Sequence, residues 1–156
     1  MRKQEKWEEE CIQEISTTKG PGAESIDEVT EQSRIADRKR KNSEYFLRAA
    51  RNQLETDTAQ AAVVLGYFAA ENKVEEALAH AGYEVHTHLC TIKGLSRVLE
   101  RKELAQDLEK AYSMRKQVNY ETDLGQNDES ARRFVVERIE PLIEEIDEVV
   151  DDLRND

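Results

Sequence analysis

Arg115 and Asn119 stand one helical turn apart in the segment Ala111 to Tyr120, so their side chains reach the same spot. They continue a stripe of Leu104, Leu108, Ala111 and Tyr112, set at three- and four-residue steps, where a helix buries apolar groups. A guanidinium does not give up its proton, so on such a stripe it needs a carboxylate, carbonyls or a bound anion opposite it. Tyr120 follows at the helix end with a hydroxyl that can donate. The trio either clamps a phosphate or ties two helices together through Glu71, Asn72 or Glu75. For a single charge on an apolar stripe, the structural tie is the more ordinary use.

Other chemistries have less support. His86 and His88 are two positions apart, which on a helix points them away from each other. Neither has an Asp, Glu or Cys at the spacing of a zinc site, so no metal is expected and both read as cap or surface histidines. They reach Arg115 only if the helix they open folds its start against it. No serine sits in a glycine-flanked elbow, and the glycines form no phosphate-cradling loop. No cofactor is expected.

Net charge is −11, which argues against non-specific coating of nucleic acid. The charge is uneven, however. From Arg34 to Arg51 seven basic residues face only Asp37 and Glu44, and Arg38, Lys39, Arg40 and Lys41 form a basic patch. From Glu137 to Asp156 nine acids face only Arg138 and Arg154. The patch either holds RNA or pairs with acids inside the molecule. The latter is the blander expectation.

The elements that must position these residues are helices. With 156 residues the chain has room for one domain with a genuine core, and two prolines and six glycines leave little material for the turns of an all-β fold. A first helix is expected from Arg2 to Ser16, with Trp7, Cys11, Ile12 and Ile15 on its apolar side, before the Gly-Pro-Gly break at Gly20 to Gly22. Ser25 and Glu28 have capping-box spacing. The next helix starts at Ser33 or Asn42 and buries Tyr45, Phe46, Ala49, Ala50 and Leu54. Ala61 to Ala70 is apolar on all sides, so it reads as a central helix surrounded by others, with Gly66 allowing close approach and Gly82 ending it. A fourth helix carries Leu89, Ile92, Leu95 and Leu99, and a fifth runs from Lys102 to Tyr120. The polar stretch Leu124 to Asp128 reads as a loop. The last helix has Val135, Ile139, Leu142, Ile146, Val149 and Leu153 as a heptad seam, which Pro141 should kink or split. The fold class is all-α, an up-and-down bundle of five to six helices.

Cys11 and Cys90 read as two free thiols in a reducing compartment, having no metal-like spacing. No apolar run approaches the length of a membrane span, and the charged start Met1 to Glu10 is no secretory signal. A cytoplasmic protein is expected.

Three segments in order resemble the HEPN domains: AAVVLGYFAAENKVEEALAHAG from Ala61 to Gly82, HTHLCTIKGLSRVL from His86 to Leu99, and AYSMRKQVNY from Ala111 to Tyr120. The resemblance extends from Tyr45 to Val150, about two thirds of the chain. It implies a single HEPN-like domain over 1–156, with an N-terminal helix and linker over 1–42 and a core bundle over 43–153. It further implies a homodimer with the arginine motif in a cleft by the subunit interface. Many HEPN members are RNases, often toxins paired with a nucleotidyltransferase-like antitoxin, and their motif is an arginine followed by a histidine. Here Arg115 matches the arginine, while the histidine positions hold Tyr120, Glu121 and Thr122. Asn119 and Tyr120 resemble the arginine-then-Asn/Asp-Tyr branch. The expectation is therefore a non-catalytic dimer that binds RNA, a nucleotide or a nucleotidyltransferase partner at Arg115, Asn119 and Tyr120, with His86 or His88 assisting. A metal-independent endoribonuclease toxin is the alternative, with Arg115, Asn119 and Tyr120 as its catalytic candidates. A purely structural interaction module is the third.

Overall fold

The computed structural model describes residues 11–15, 30–120 and 128–155, with the backbone alone for 12–14, 118–120 and 128. Within them the chain is an all-α helical bundle. Helix α1 spans Glu31–Gln53, α2 Ala61–His80, α3 His88–Arg97 and α4 Lys102–Tyr120. The last rod runs without a break through α5 (Asp128–Arg133), a π-helical stretch (Phe134–Ile139) and α6 (Glu140–Arg154). Trp7, the Ser25 and Glu28 box and the 124–127 loop lie outside the described residues.

Helix α1 starts at neither Ser33 nor Asn42. Thr30 caps it, with Oγ1 accepting the Ser33 amide at 3.1 Å, and Glu31 and Arg51 complement the helix dipole at its two ends. The basic run Arg38 to Lys41 is thus helical. The inward residues are Ala36, Ser43 and Ala50, spaced seven apart and small enough for α1 to lie close against α2. The Ser43 hydroxyl donates to the Ala69 carbonyl at 2.7 Å. Tyr45, expected inside, is 59% exposed, because the seam in contact with α2 lies to one side of it.

Helix α2 is the axis, buried on nearly every side from Ala62 to Ala79. It ends at Gly82, whose φ of +97° is open to glycine at little cost and whose amide donates back to the Ala79 carbonyl at 2.9 Å. A β-carbon at Gly66 would meet Ile139 at an ordinary 3.4 Å, so that glycine is not what sets the spacing there. At Gly94 on α3 a β-carbon would lie 2.8 Å from Leu78 Cδ1. That close approach fixes α3, and hence His88 at its start, against α2. Leu89, expected on the buried side of α3, is 59% exposed, since Cys90, Thr91, Gly94 and Leu95 form the inner face instead.

Two sequence-based expectations are corrected at the N-terminal end. Ile12–Glu14 is not helical but forms strand β1, paired antiparallel with β2 (Tyr83–Val85), with Ile12 opposite Val85. Cys11 and Cys90 are joined in a disulfide, not free. Both follow from one long-range contact. The pairing partner of β1 lies some seventy residues along the chain, and the Ile15 amide extends the pairing by donating to the Gly82 carbonyl at 2.8 Å.

In the last rod, Pro141 lacks an amide to continue the ladder and its ring crowds the preceding turn. The chain responds with the wider π winding just before it, where the Glu140 amide donates to the Val135 carbonyl. The rod stays continuous, and Val135, Ile139, Leu142, Ile146 and Val149 remain buried on one seam. No helix among the described residues is long and apolar enough to cross a membrane.

Candidate functional site

Three helices bring their polar and aromatic groups together at Arg115. Helix α2 supplies Tyr67, Phe68 and Glu71, and their i, i+1 and i+4 spacing puts Tyr67 and Glu71 on one face. The Tyr67 hydroxyl donates to Glu71 Oε2 at 2.8 Å. Burial first, and then the neighbouring Glu71 charge, push the Tyr67 phenol far above its ordinary value, so it stays protonated. Helix α3 supplies His88, its first residue. Thr87 caps that helix, with Oγ1 accepting the Cys90 amide at 3.1 Å, and this sets the direction in which His88 leaves the backbone. Helix α4 supplies Tyr112 and Arg115.

His88 joins the two sides. Its Nδ1 hydrogen-bonds Glu71 Oε2, and its Nε2 stands 3.4 Å from Arg115 Nη1. A guanidinium can only donate, so Nε2 accepts and the imidazole proton sits on Nδ1, facing the carboxylate. Glu71 thereby fixes both the tautomer and the ring plane.

Arg115 is half-buried, and among the described residues no carboxylate lies within ion-pair distance of it. Aromatic rings surround its charge instead. The guanidinium carbon is 5.1 Å from the Phe68 ring centre, 5.8 Å from Tyr67 and 5.9 Å from Tyr112. Its Nε is buried without a hydrogen-bond partner among the described residues. Lys116, on the next position, has Nζ 4.7 Å from the Tyr112 ring centre.

The other expected site residues are placed differently. His86 is exposed, with Nε2 3.5 Å from Glu84 Oε1, away from Arg115. The side chains of Asn119 and Tyr120 lie outside the described residues. Each cation of the basic patch has a carboxylate neighbour. Arg38 faces Glu84 at 3.9 Å, Lys39 meets Glu75 at 2.7 Å, Arg40 binds Asp37 and Glu44, and Lys41 meets Asp37 at 3.0 Å. Arg40 first and Lys41 second hold the Asp37 carboxyl below its usual range. No three His, Cys, Asp or Glu side chains among the described residues gather as metal ligands.

Glu71 as the partner of His88, and the ring wall of Tyr67, Phe68 and Tyr112, are functional candidates that the spacing of Arg115 and Asn119 does not reveal. A signal was present: Tyr67, Glu71 and Glu75 put polar groups at four-residue steps along an otherwise apolar face. Comparison with protein-family models and with curated protein sequences finds no match to this chain.

Proposed function

We propose that the chain binds RNA by seating a backbone phosphate against Arg115, whose guanidinium His88 orients. The observation that carries this reading is a half-buried guanidinium flanked by an oriented histidine and lacking a carboxylate partner among the described residues. Such a group is stabilised by an anion that brings charge and hydrogen-bond acceptors together. Held on three helices, its donors are set in place before the ligand arrives. The resemblance to HEPN domains supports the same choice and adds a homodimer and a nucleotidyltransferase-like partner to it.

Binding of a labelled oligoribonucleotide, followed by fluorescence anisotropy against salt, tests the reading. Affinity should fall as salt rises. Arg115→Ala should weaken it at least tenfold, on the order of 1.4 kcal/mol, with the helical circular-dichroism signal intact. Binding unchanged in Arg115→Ala would reject the phosphate seat, and a lowered melting temperature alone would mark Arg115 as structural.

A second reading, endoribonuclease, is favoured by the Glu71 to His88 hydrogen bond. It leaves His88 Nε2 as a base able to take a 2′-hydroxyl proton while Arg115 stabilises the phosphorane. Cleavage also needs an acid for the leaving 5′-oxygen. The hydroxyl bonded to Glu71 belongs to Tyr67, which holds its proton too tightly for that task. Binding is therefore placed first. Products ending in a 2′,3′-cyclic phosphate, lost in His88→Ala, would reverse the order.

A further inference from the structure

We infer that Phe46, with Tyr45 at its edge and Phe68 behind it, forms a stacking platform for one nucleobase of single-stranded RNA beside the Arg115 phosphate seat. The inference rests on the phosphate reading above and assigns the neighbouring part of the same ligand. The chain has five tyrosines and three phenylalanines, and five of these eight rings gather here: Tyr45, Phe46, Tyr67, Phe68 and Tyr112. They lead from core to solvent. Tyr67 is fully buried, Phe68 and Phe46 are half-buried, and Tyr45 is 59% exposed. Ring centres are 6.2 Å apart from Tyr67 to Phe68, 5.5 Å from Phe68 to Phe46 and 5.6 Å from Phe46 to Tyr45.

A core aromatic cluster closes on itself, whereas this one ends at the surface. Tyr45 meets Phe46 edge to face at 72°, so the outermost two rings make a corner, not a closed stack. The guanidinium lies 5.1 Å from the Phe68 ring, which puts a cation within one nucleotide's reach of the ring path. Lys116, exposed on the next position of α4, adds a second cation for an adjacent phosphate. In an acidic chain whose basic patch is matched by its own carboxylates, cations near the Tyr45 and Phe46 corner are the pairing that single-stranded RNA recognises. Phosphates meet the charges and bases lie on the rings.

The full chain is titrated at low salt with a short oligoribonucleotide carrying 2-aminopurine, and with an abasic oligomer of the same length. Wild type should bind the base-containing strand more tightly, with quenched 2-aminopurine emission. Phe46→Leu should weaken that binding roughly 5- to 150-fold, and Tyr45→Ala, at an exposed position that spares the fold, should act in the same direction. Neither should change abasic binding, whereas Arg115→Ala should weaken both. Equal binding of the two strands by wild type, or an unmoved Tyr45→Ala together with an unmoved Phe46→Leu, overturns the platform and leaves the phosphate seat standing. Binding of neither strand by wild type overturns both.

Discussion

His88 opens α3, Arg115 lies near the end of the inner stripe of α4, and their facing nitrogens stand 3.4 Å apart across a gap of 27 positions in sequence. The contact works only in one protonation pattern, with the proton of His88 on Nδ1 against Glu71. Free imidazole prefers the other tautomer, which would set an N–H against the guanidinium and drive the two apart. Glu71→Ala should therefore move His88 toward the Nε2-protonated form, read from imidazole nitrogen shifts by NMR. RNA affinity should fall roughly tenfold, the scale of a hydrogen bond to a charged group. An unchanged tautomer in the variant would show that Glu71 does not orient the ring.

The Cys11–Cys90 disulfide fastens β1 to α3 two residues beyond His88, closing a loop with a sequence separation of 79. A cross-link of that span restricts the unfolded chain strongly, with an expected stabilisation of about 4 kcal/mol. For a chain of this size, treatment with a dithiol reductant should lower the melting temperature by roughly 10 °C, and Cys90→Ser should match it without reductant. Calorimetry with and without dithiothreitol measures this directly. Equal melting temperatures would mean that the β1 pairing and the Ile15 contact hold the segment unaided.

How far the sequence discloses this molecule depends on the range of each interaction. The stop at Gly82 and the disturbance at Pro141 are legible because a left-handed residue and a missing amide act within one or two turns, and α4 is legible from its apolar stripe of Leu104, Leu108, Ala111 and Tyr112. Exposure of Tyr45 and Leu89 is not, since an apolar residue on a helix gives its type but not which neighbour covers it. Strand β1 and the disulfide depend on partners seventy or more positions away, and three residues are too few to show a period of two. At the site, Arg115 stands out by its place on an apolar stripe. Its meeting with His88 depends on the packing of α3 at Gly94 and on the turn at Glu100, whose φ of 55° swings α4 back along α3.

On the opposite side of α2, Lys73 lies buried with Nζ 2.6 Å from Glu76 and 2.8 Å from Asp147 of α6. Burial pulls the ammonium down, yet the hydrogen bonds to Asp147 and Glu76 prevail and hold it above its ordinary value. Lys73→Met removes the cation and leaves Glu76, only 3% exposed, without its ion-pair partner. The expected loss is about 3 to 5 kcal/mol, measured by urea unfolding. Pairing it with Glu76→Leu should restore most of that loss, because Asp147 faces water and needs no partner. A double variant no more stable than the single one would show that packing, not the stranded charge, sets the cost.

His80, at the end of α2, gives the molecule a specific acid sensitivity. Burial first, then the charges of Arg154 and Lys73, hold its imidazole below the ordinary 6.5. Glu76 Oε2 lies 4.0 Å away, but that carboxylate is engaged by Lys73, so the downward influences win. Because the folded state binds the proton less readily than the unfolded chain, the stability from neutral His80 is complete above 6.5 and is lost as pH falls below it. Buried Glu75 has the opposite sign. Burial raises its carboxyl above 4.5 despite the pull of Lys39, so its contribution declines as pH rises from there. Comparison with His80→Gln removes that common background. Between pH 8 and pH 5 the wild type should lose melting temperature relative to His80→Gln, by on the order of 2 °C. Parallel profiles would show that the imidazole takes up its proton in the folded protein as readily as in the unfolded chain.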